Sequence, residues 1–179
     1  CLLVFPSTDH QNCCTATGPA RFTWLRRLLA RNRTTPTIVF FPAPLRGTQA
    51  KFRHYIDRPS AIAQPETAVE ELLAANPQVF IWVSGHTHTP PTEPSYAAPI
   101  NRFQDRVTNI HNTDLRGAML WTNSLFLCPD RVEVRTYTHT PGHCLPALDR
   151  TIVPPLVPGP ASSSHMLAAN VLKLNLFSA

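Results

Sequence analysis

The stretch Val79-Phe80-Ile81-Trp82-Val83-Ser84-Gly85-His86-Thr87-His88 decides how the chain is read. Its first five residues are all apolar, β-branched or aromatic, which predicts a strand buried on both faces. Such a strand holds its end rigidly. Gly85 permits a tight turn that a larger residue resists, so two imidazoles leave a fixed platform. Histidines two apart can ligate one metal ion or two neighbouring ones, because neutral imidazole suits zinc, iron and manganese. The competing reading is a solvent-facing turn with two idle histidines, since the groups that would orient the rings are invisible in a sequence.

On the N-terminal side, strands and helices alternate. Leu2-Leu3-Val4-Phe5, stopped by Pro6-Ser7, reads as a buried strand. Gly18-Pro19 opens a helix of about fifteen residues, proline being tolerated in a first turn. Phe22, Leu25 and Leu29 form its apolar stripe, with Arg26, Arg27 and Arg31 opposite. Thr37 to Phe41 is a second strand, bounded by Pro36 and Pro42-Ala43-Pro44. Glu66 to Leu73 is a second helix, with acid in its first turn and Asn76-Pro77 to stop it. Right-handed crossovers make these strands parallel neighbours and send Asp9, Pro42 and His86 to one edge of the sheet, where open α/β sheets bind ligands. Asp9, His10, Cys13 and Cys14 are further candidate metal ligands there. Their spacing matches no standard zinc pattern, so an ordinary loop competes.

After His88 the chain turns proline-rich, as suits a loop over a site mouth, and Tyr96 either stacks on a substrate or pins that loop. Arg106 to His111, Ala118 to Thr122 and Arg131 to Tyr137 read as antiparallel strands. His111 is read as a core or edge histidine. Pro129-Asp130 is a hairpin turn following Leu125-Phe126-Leu127. From Thr151 the composition is that of a linker, which divides the chain into a domain over 1–150 and a linker and tail over 151–179. The stretch Met166 to Phe177 is too short to span a bilayer, and is expected to dock on the domain or on a partner.

Composition narrows the function classes. A chain of 179 residues with 43% hydrophobic content has enough apolar surface for one real core. Its 16 basic and 11 acidic residues leave a charge of +5, which suits an anionic substrate better than it argues for nucleic acid. The basic loop carrying Arg46, Lys51, Arg53, His54 and Arg58 attracts a phosphate or is simply solvated. No run of apolar residues is long enough for a membrane span, and nothing marks export. Five cysteines, with Cys13 and Cys14 adjacent, favour reduced thiols and a cytoplasmic setting.

The block Val83-Ser84-Gly85-His86-Thr87-His88-Thr89-Pro90 resembles the last signature block of the calcineurin-like metallophosphoesterases. Trp24-Leu25-Arg26-Arg27-Leu28-Leu29 resembles a helix of that family, and Thr37-Ile38-Val39-Phe40-Phe41 the strand that follows it. The resemblance runs from about residue 1 to about residue 150, and only the Gly-His-any-His block is specific. It implies a mixed α/β fold, a β-sheet sandwich covered by helices, of which this chain carries the C-terminal part. It also implies hydrolysis of a phosphoester substrate by two divalent metal ions (Mn, Fe or Zn) that bridge a hydroxide and neutralise phosphate charge. By that resemblance His86 binds one metal and His88 the other, while catalytic and substrate-binding residues stay unassigned. Two departures stand out. Pro42 occupies the position where the family's strand typically ends in a histidine, and the earlier Asp-any-His, Gly-Asp and Gly-Asn-His blocks are absent from these residues. The expectation is therefore a chain inactive alone, needing a missing N-terminal half or another subunit, with an open sheet edge at Leu2 to Phe5 that self-associates. The alternative is a non-catalytic remnant, serving as a binding module or without function.

Overall fold

In a computed structural model of the chain, the apolar run becomes β3 (Val79–Ser84), and every one of its residues is buried. The structure describes residues 1–8, 15–50, 58–112, 120–156 and 172–176. Around β3 lie β1 (Leu2–Val4), β2 (Thr37–Phe40) and β5 (Val107–His111), all parallel, with the two-residue β4 (Arg102–Phe103) antiparallel to β5. Their order is β1-β2-β3-β5-β4. The expected parallel neighbours are present, and the ends of β2 and β3 emerge side by side.

Two helices supply the crossovers. Helix α1 (Pro19–Arg31) starts after Gly18 with proline in its first turn and buries Phe22, Leu25 and Leu29, leaving Arg26, Arg27 and Arg31 exposed. Helix α2 (Glu66–Ala74) places Glu66 at its positive end and buries Val69, Leu72 and Leu73. Both stripes pack with Val4, Val39, Trp82 and Val107 on one face of the sheet. The opposite face, Ile38, Ile81, Val83 and Ile110, meets Leu125, Val132, Val134 and Leu176 of a second sheet. Thr37 pairs with Val79 but Ile38 pairs with Ile81, so Phe80 is an extra residue in the ladder. That bulge explains why Val79 and Trp82 face the helices while Phe80, Ile81 and Val83 face the second sheet.

The second sheet is antiparallel, in the order β10-β6-β7-β8 with β9 also on β7. Its strands are β6 (Trp121–Leu127), β7 (Val132–Thr138), β8 (His143–Cys144), β9 (Arg150–Ile152) and β10 (Leu172–Leu176). The expected turn at Pro129-Asp130 joins β6 to β7, where Cys128 N–H donates to the Arg131 carbonyl at 2.9 Å.

Two expectations need correction. Arg106 to His111 was expected among antiparallel strands, yet β5 runs parallel to β3, because the long 85–106 connection carries the chain back before it re-enters the sheet. The sandwich is covered by helices on one side only: among the described residues there are two, and both pack on the first sheet. Of the two outcomes expected for the C-terminal stretch, docking on the domain is the one observed: Leu172–Leu176 is a regular strand on β6 with Leu176 buried. At the other edge, Phe5 is 64% exposed beyond β1 and stacks on Phe40 at 4.3 Å. No helix among the described residues is long and apolar enough to cross a membrane. Cys1, Cys128 and Cys144 are free thiols, whereas Cys13 and Cys14 lie outside the described residues.

The central position of β3 sets a test. Ile81 is fully buried between the sheets, so Ile81→Ala is expected to cost roughly 2 to 5 kcal/mol in urea unfolding, lowering the midpoint with the slope unchanged. A loss well below that range would mean that the sheets are not packed at Ile81.

Candidate functional site

The end of β3 is fastened to the end of β2. Phe41 N–H donates to the Val83 carbonyl at 2.9 Å and Gly85 N–H to the Pro42 carbonyl at 2.8 Å, so Pro42 lies beside the Gly-His-any-His turn, as the topology predicts. Thr87 N–H then folds back on the Gly85 carbonyl at 2.6 Å, putting His86 at the apex of a three-residue turn. His86 (φ 56) and His88 (φ 50) both sit in the left-handed region. For a side chain with a Cβ this costs about 1 to 2 kcal/mol each and persists only where the surroundings impose it.

Three contacts impose it. Thr87 and Thr89 are buried, and their hydroxyls both donate to Gln49 Oε1, at 3.2 and 2.8 Å. His86 and His88, the residues between and before them, are half-buried. His86 Nε2 lies 2.8 Å from the Ser60 carbonyl. A carbonyl only accepts, so Nε2 carries the proton and the ring's lone pair is on Nδ1. This is the orienting bond that a ligating histidine ordinarily makes with its other nitrogen.

Beneath the turn lies a buried polar layer on the helix side of the sheet. Asn109 Oδ1 accepts from Leu45 N–H at 2.9 Å and its Nδ2 donates to Ser84 Oγ at 2.8 Å. His111 Nε2 donates to the Thr48 carbonyl at 3.0 Å, and Asn101 Nδ2 donates to the same carbonyl and to that of Ser95, both at 2.7 Å. These bonds tie the 42–50 and 89–101 loops to the ends of β3 and β5. His111 is fully buried, and burial pushes its pKa down to about 4 against the pull of the Thr48 carbonyl, with Arg150 adding to the fall. It is a neutral core histidine, as read from its strand. Tyr96 is 1% exposed, so its ring pins the loop and is not open for a substrate to stack on.

Two divalent ions need more than this. Among the described residues no group of three or more His, Cys, Asp and Glu side chains comes together. His86 and His88 offer two imidazoles, Pro42 has no side-chain donor atom, and His111 points its proton at Thr48. The described residues therefore do not fit a two-metal centre. Asp9, His10, Cys13 and Cys14 lie outside them, as do Lys51, Arg53 and His54 of the basic loop. Of the rest of that loop, Arg46 is ion-paired with Glu66 and Arg58 is exposed. The supporting residues Gln49 and Ser60 were not anticipated. They precede their partners by 38 and 26 residues and belong to no motif. The one signal pointing to them is the Thr87, Thr89 alternation, whose hydroxyls need an acceptor once buried.

No known protein family matches the chain, and no curated protein does. Among solved structures, the fold is similar to that of a dimetal phosphatase from Danio rerio, with a TM-score of 0.50 and 17% identity. The match covers 77% of this chain and 38% of that one. Likeness at this identity bears on the fold alone.

The buried histidine gives a pH dependence whose sign is fixed. Unfolded, His111 takes up a proton near pH 6.5; folded, not until about 4. The stability it contributes is thus complete above pH 6.5 and is lost as pH falls towards 4, on the order of 3 kcal/mol in all. Urea unfolding between pH 7 and 4 reads this loss directly, and His111→Gln is expected to flatten it. An unchanged slope in that variant would assign the proton to another group.

Proposed function

We propose that the chain is the C-terminal part of a metal-dependent phosphoesterase of calcineurin-like type, and that His86 and His88 ligate divalent metal there. The observation that carries this is the pair of histidines at the C-terminal end of the central parallel strand, both held in left-handed backbone. The fold's likeness to a dimetal phosphatase supports it. The substrate class is then a phosphoester and the cofactors divalent ions such as Mn, Fe or Zn. Residues 1–150 form the partial phosphoesterase domain, and the linker and tail over 151–179 add β10 and the end of β9 to its second sheet, in a cytoplasmic protein.

No hydrolytic step is assembled by the described residues, which supply two imidazoles and no carboxylate to bridge two cations. On this reading the chain alone is expected to show no turnover, which would need groups from an N-terminal half or a second subunit. A rival reading, a non-catalytic binding module, is favoured by one observation: proline stands at position 42, beside Gly85, where the family places a ligand.

Two measurements test the proposal. Mn²⁺ or Zn²⁺ is expected to raise the melting temperature by binding the folded chain, and His86→Ala/His88→Ala to abolish that rise. An equal rise in the double variant removes the histidines from the site. The second measurement is hydrolysis of an aryl phosphate with Mn²⁺. The chain alone is expected to show none, and the chain joined to the N-terminal half of an intact dimetal phosphatase to gain more than about tenfold on Pro42→His. No gain there favours the binding module. Turnover by the unmodified chain that vanishes in His88→Ala would overturn its inactivity.

A further inference from the structure

We propose that Tyr96 and Arg150 form a binding site for a small oxyanion, of the phosphate or carboxylate kind, in the seam between the loop after β3 and the second sheet. The site stands on its own donors and does not depend on His86 and His88. Tyr96 comes from the 89–101 loop, and Arg150 opens β9 opposite Val134 of β7. The guanidinium lies 5.3 Å from the centre of the Tyr96 ring, so the two side chains share one place.

What surrounds them is rich in donors and short of acceptors. Asn123 Oδ1 already accepts from Thr136 Oγ1 at 3.0 Å and from Arg150 Nη2 at 3.1 Å. Its Nδ2 donates to the His111 carbonyl at 3.0 Å and to Asn112 Oδ1 at 2.9 Å, which completes its capacity. Arg150 Nη1 reaches the Tyr96 carbonyl only at 3.5 Å. Arg150 Nε and the Tyr96 hydroxyl are both buried and have no hydrogen-bond partner. Burial holds the pKa of the phenol up, and Arg150, Thr136 and Asn123 approach it closely enough to pull the other way, though none with full hydrogen-bond distance and angle.

The charge also lacks an ion-pair partner, the adjoining Asp149 carboxylate acting on it only from beyond 4 Å. Among the described residues the ion pairs join Arg46 to Glu66, Arg131 to Asp130 and Glu133, and Arg135 to Glu133, and none includes Arg150. A sunken guanidinium whose hydrogen bonds go to neutral oxygens, with its nearest carboxylate outside ion-pair distance, is a costly arrangement. Water would offer one uncharged oxygen. An oxyanion offers several acceptor atoms and the missing charge, and the arginine fork matches the edge of a carboxylate or the face of a phosphate.

The test uses the whole chain. Melting temperature is followed against inorganic phosphate, formate and chloride at equal ionic strength, with the phosphorus NMR line width as a direct measure of phosphate binding. A saturable rise with phosphate or formate above chloride is expected, and the tighter of the two names the ligand. Tyr96→Phe, which removes one unpartnered atom, is expected to raise the half-saturating concentration roughly tenfold. Arg150→Lys keeps the charge but loses the fork, and is expected to raise it roughly a hundredfold. His86→Ala/His88→Ala is expected to leave it unchanged, which separates this site from the metal proposal. Should Arg150→Lys fail to fold, Tyr96→Phe carries the test. If a small shift lets Tyr96 and Arg150 satisfy each other, phosphate and formate will act as chloride does, or Tyr96→Phe will bind as tightly as the unmodified chain. Either result overturns the proposal.

Discussion

Strand β3 has to fill two cores at once, and most of the structure follows from that. A strand buried on both faces must be apolar along its length, must have parallel neighbours to complete its ladder, and must be covered by helices on one side. Helices α1 and α2 meet the last demand with two stripes of three buried residues each. The second sheet meets the need on the other face. A strand so constrained ends at one defined point, and there the polar residues Ser84, Asn109 and His111 take over from the apolar ones.

That polar layer holds the loops in place without charge. Gln49, Asn101, Asn109 and Asn123 are all buried; Gln49 holds Thr87 and Thr89 through its Oε1, and the three asparagines, bonded at both ends of the amide, bridge segments distant in sequence. An amide donates and accepts at once, so it can bind two partners of opposite kind in a dry site. The left-handed conformations of His86 and His88 are held by this scaffold: the threonines that alternate with them are fixed from below. Strain at the turn and order beneath it are two sides of one arrangement.

Where local pattern carries the information, the sequence was sufficient. The parallel β1-β2-β3 core, the Phe22, Leu25, Leu29 stripe, the Pro129-Asp130 hairpin and the buried state of His111 all rest on periodicity or turn chemistry within a few residues. Strand direction is different. The course of β5 depends on how the 85–106 connection returns, which no short pattern encodes, and the same holds for β10, whose partner β6 lies across a long stretch of chain. Of the candidate site, the histidine pair and its neighbour Pro42 were evident from the motif and the order of elements. Gln49 and Ser60 were not, because a buried acceptor leaves no mark on sequence until its donor's position is known. Arg150 was missed for the opposite reason: an isolated arginine reads as solvated.

The bulge at Phe80 bears on which insertions and deletions the central strand can absorb. Phe80 is the residue without a partner on β2, so removing it alone would leave Thr37 opposite Val79 and Ile38 opposite Ile81, with every later side chain still on its own face. Removing Ile81 is equivalent, because Phe80 faces the second sheet as Ile81 does and can take its place opposite Ile38; removing Trp82 or Val83 instead would reverse inward and outward for part of the strand and draw Gly85 back by one residue's rise, about 3.3 Å, away from the Pro42 carbonyl. A deletion scan across 79–84 should therefore tolerate the loss of Phe80 or of Ile81, with the turn that carries His86 and His88 surviving there and lost at Trp82 and Val83.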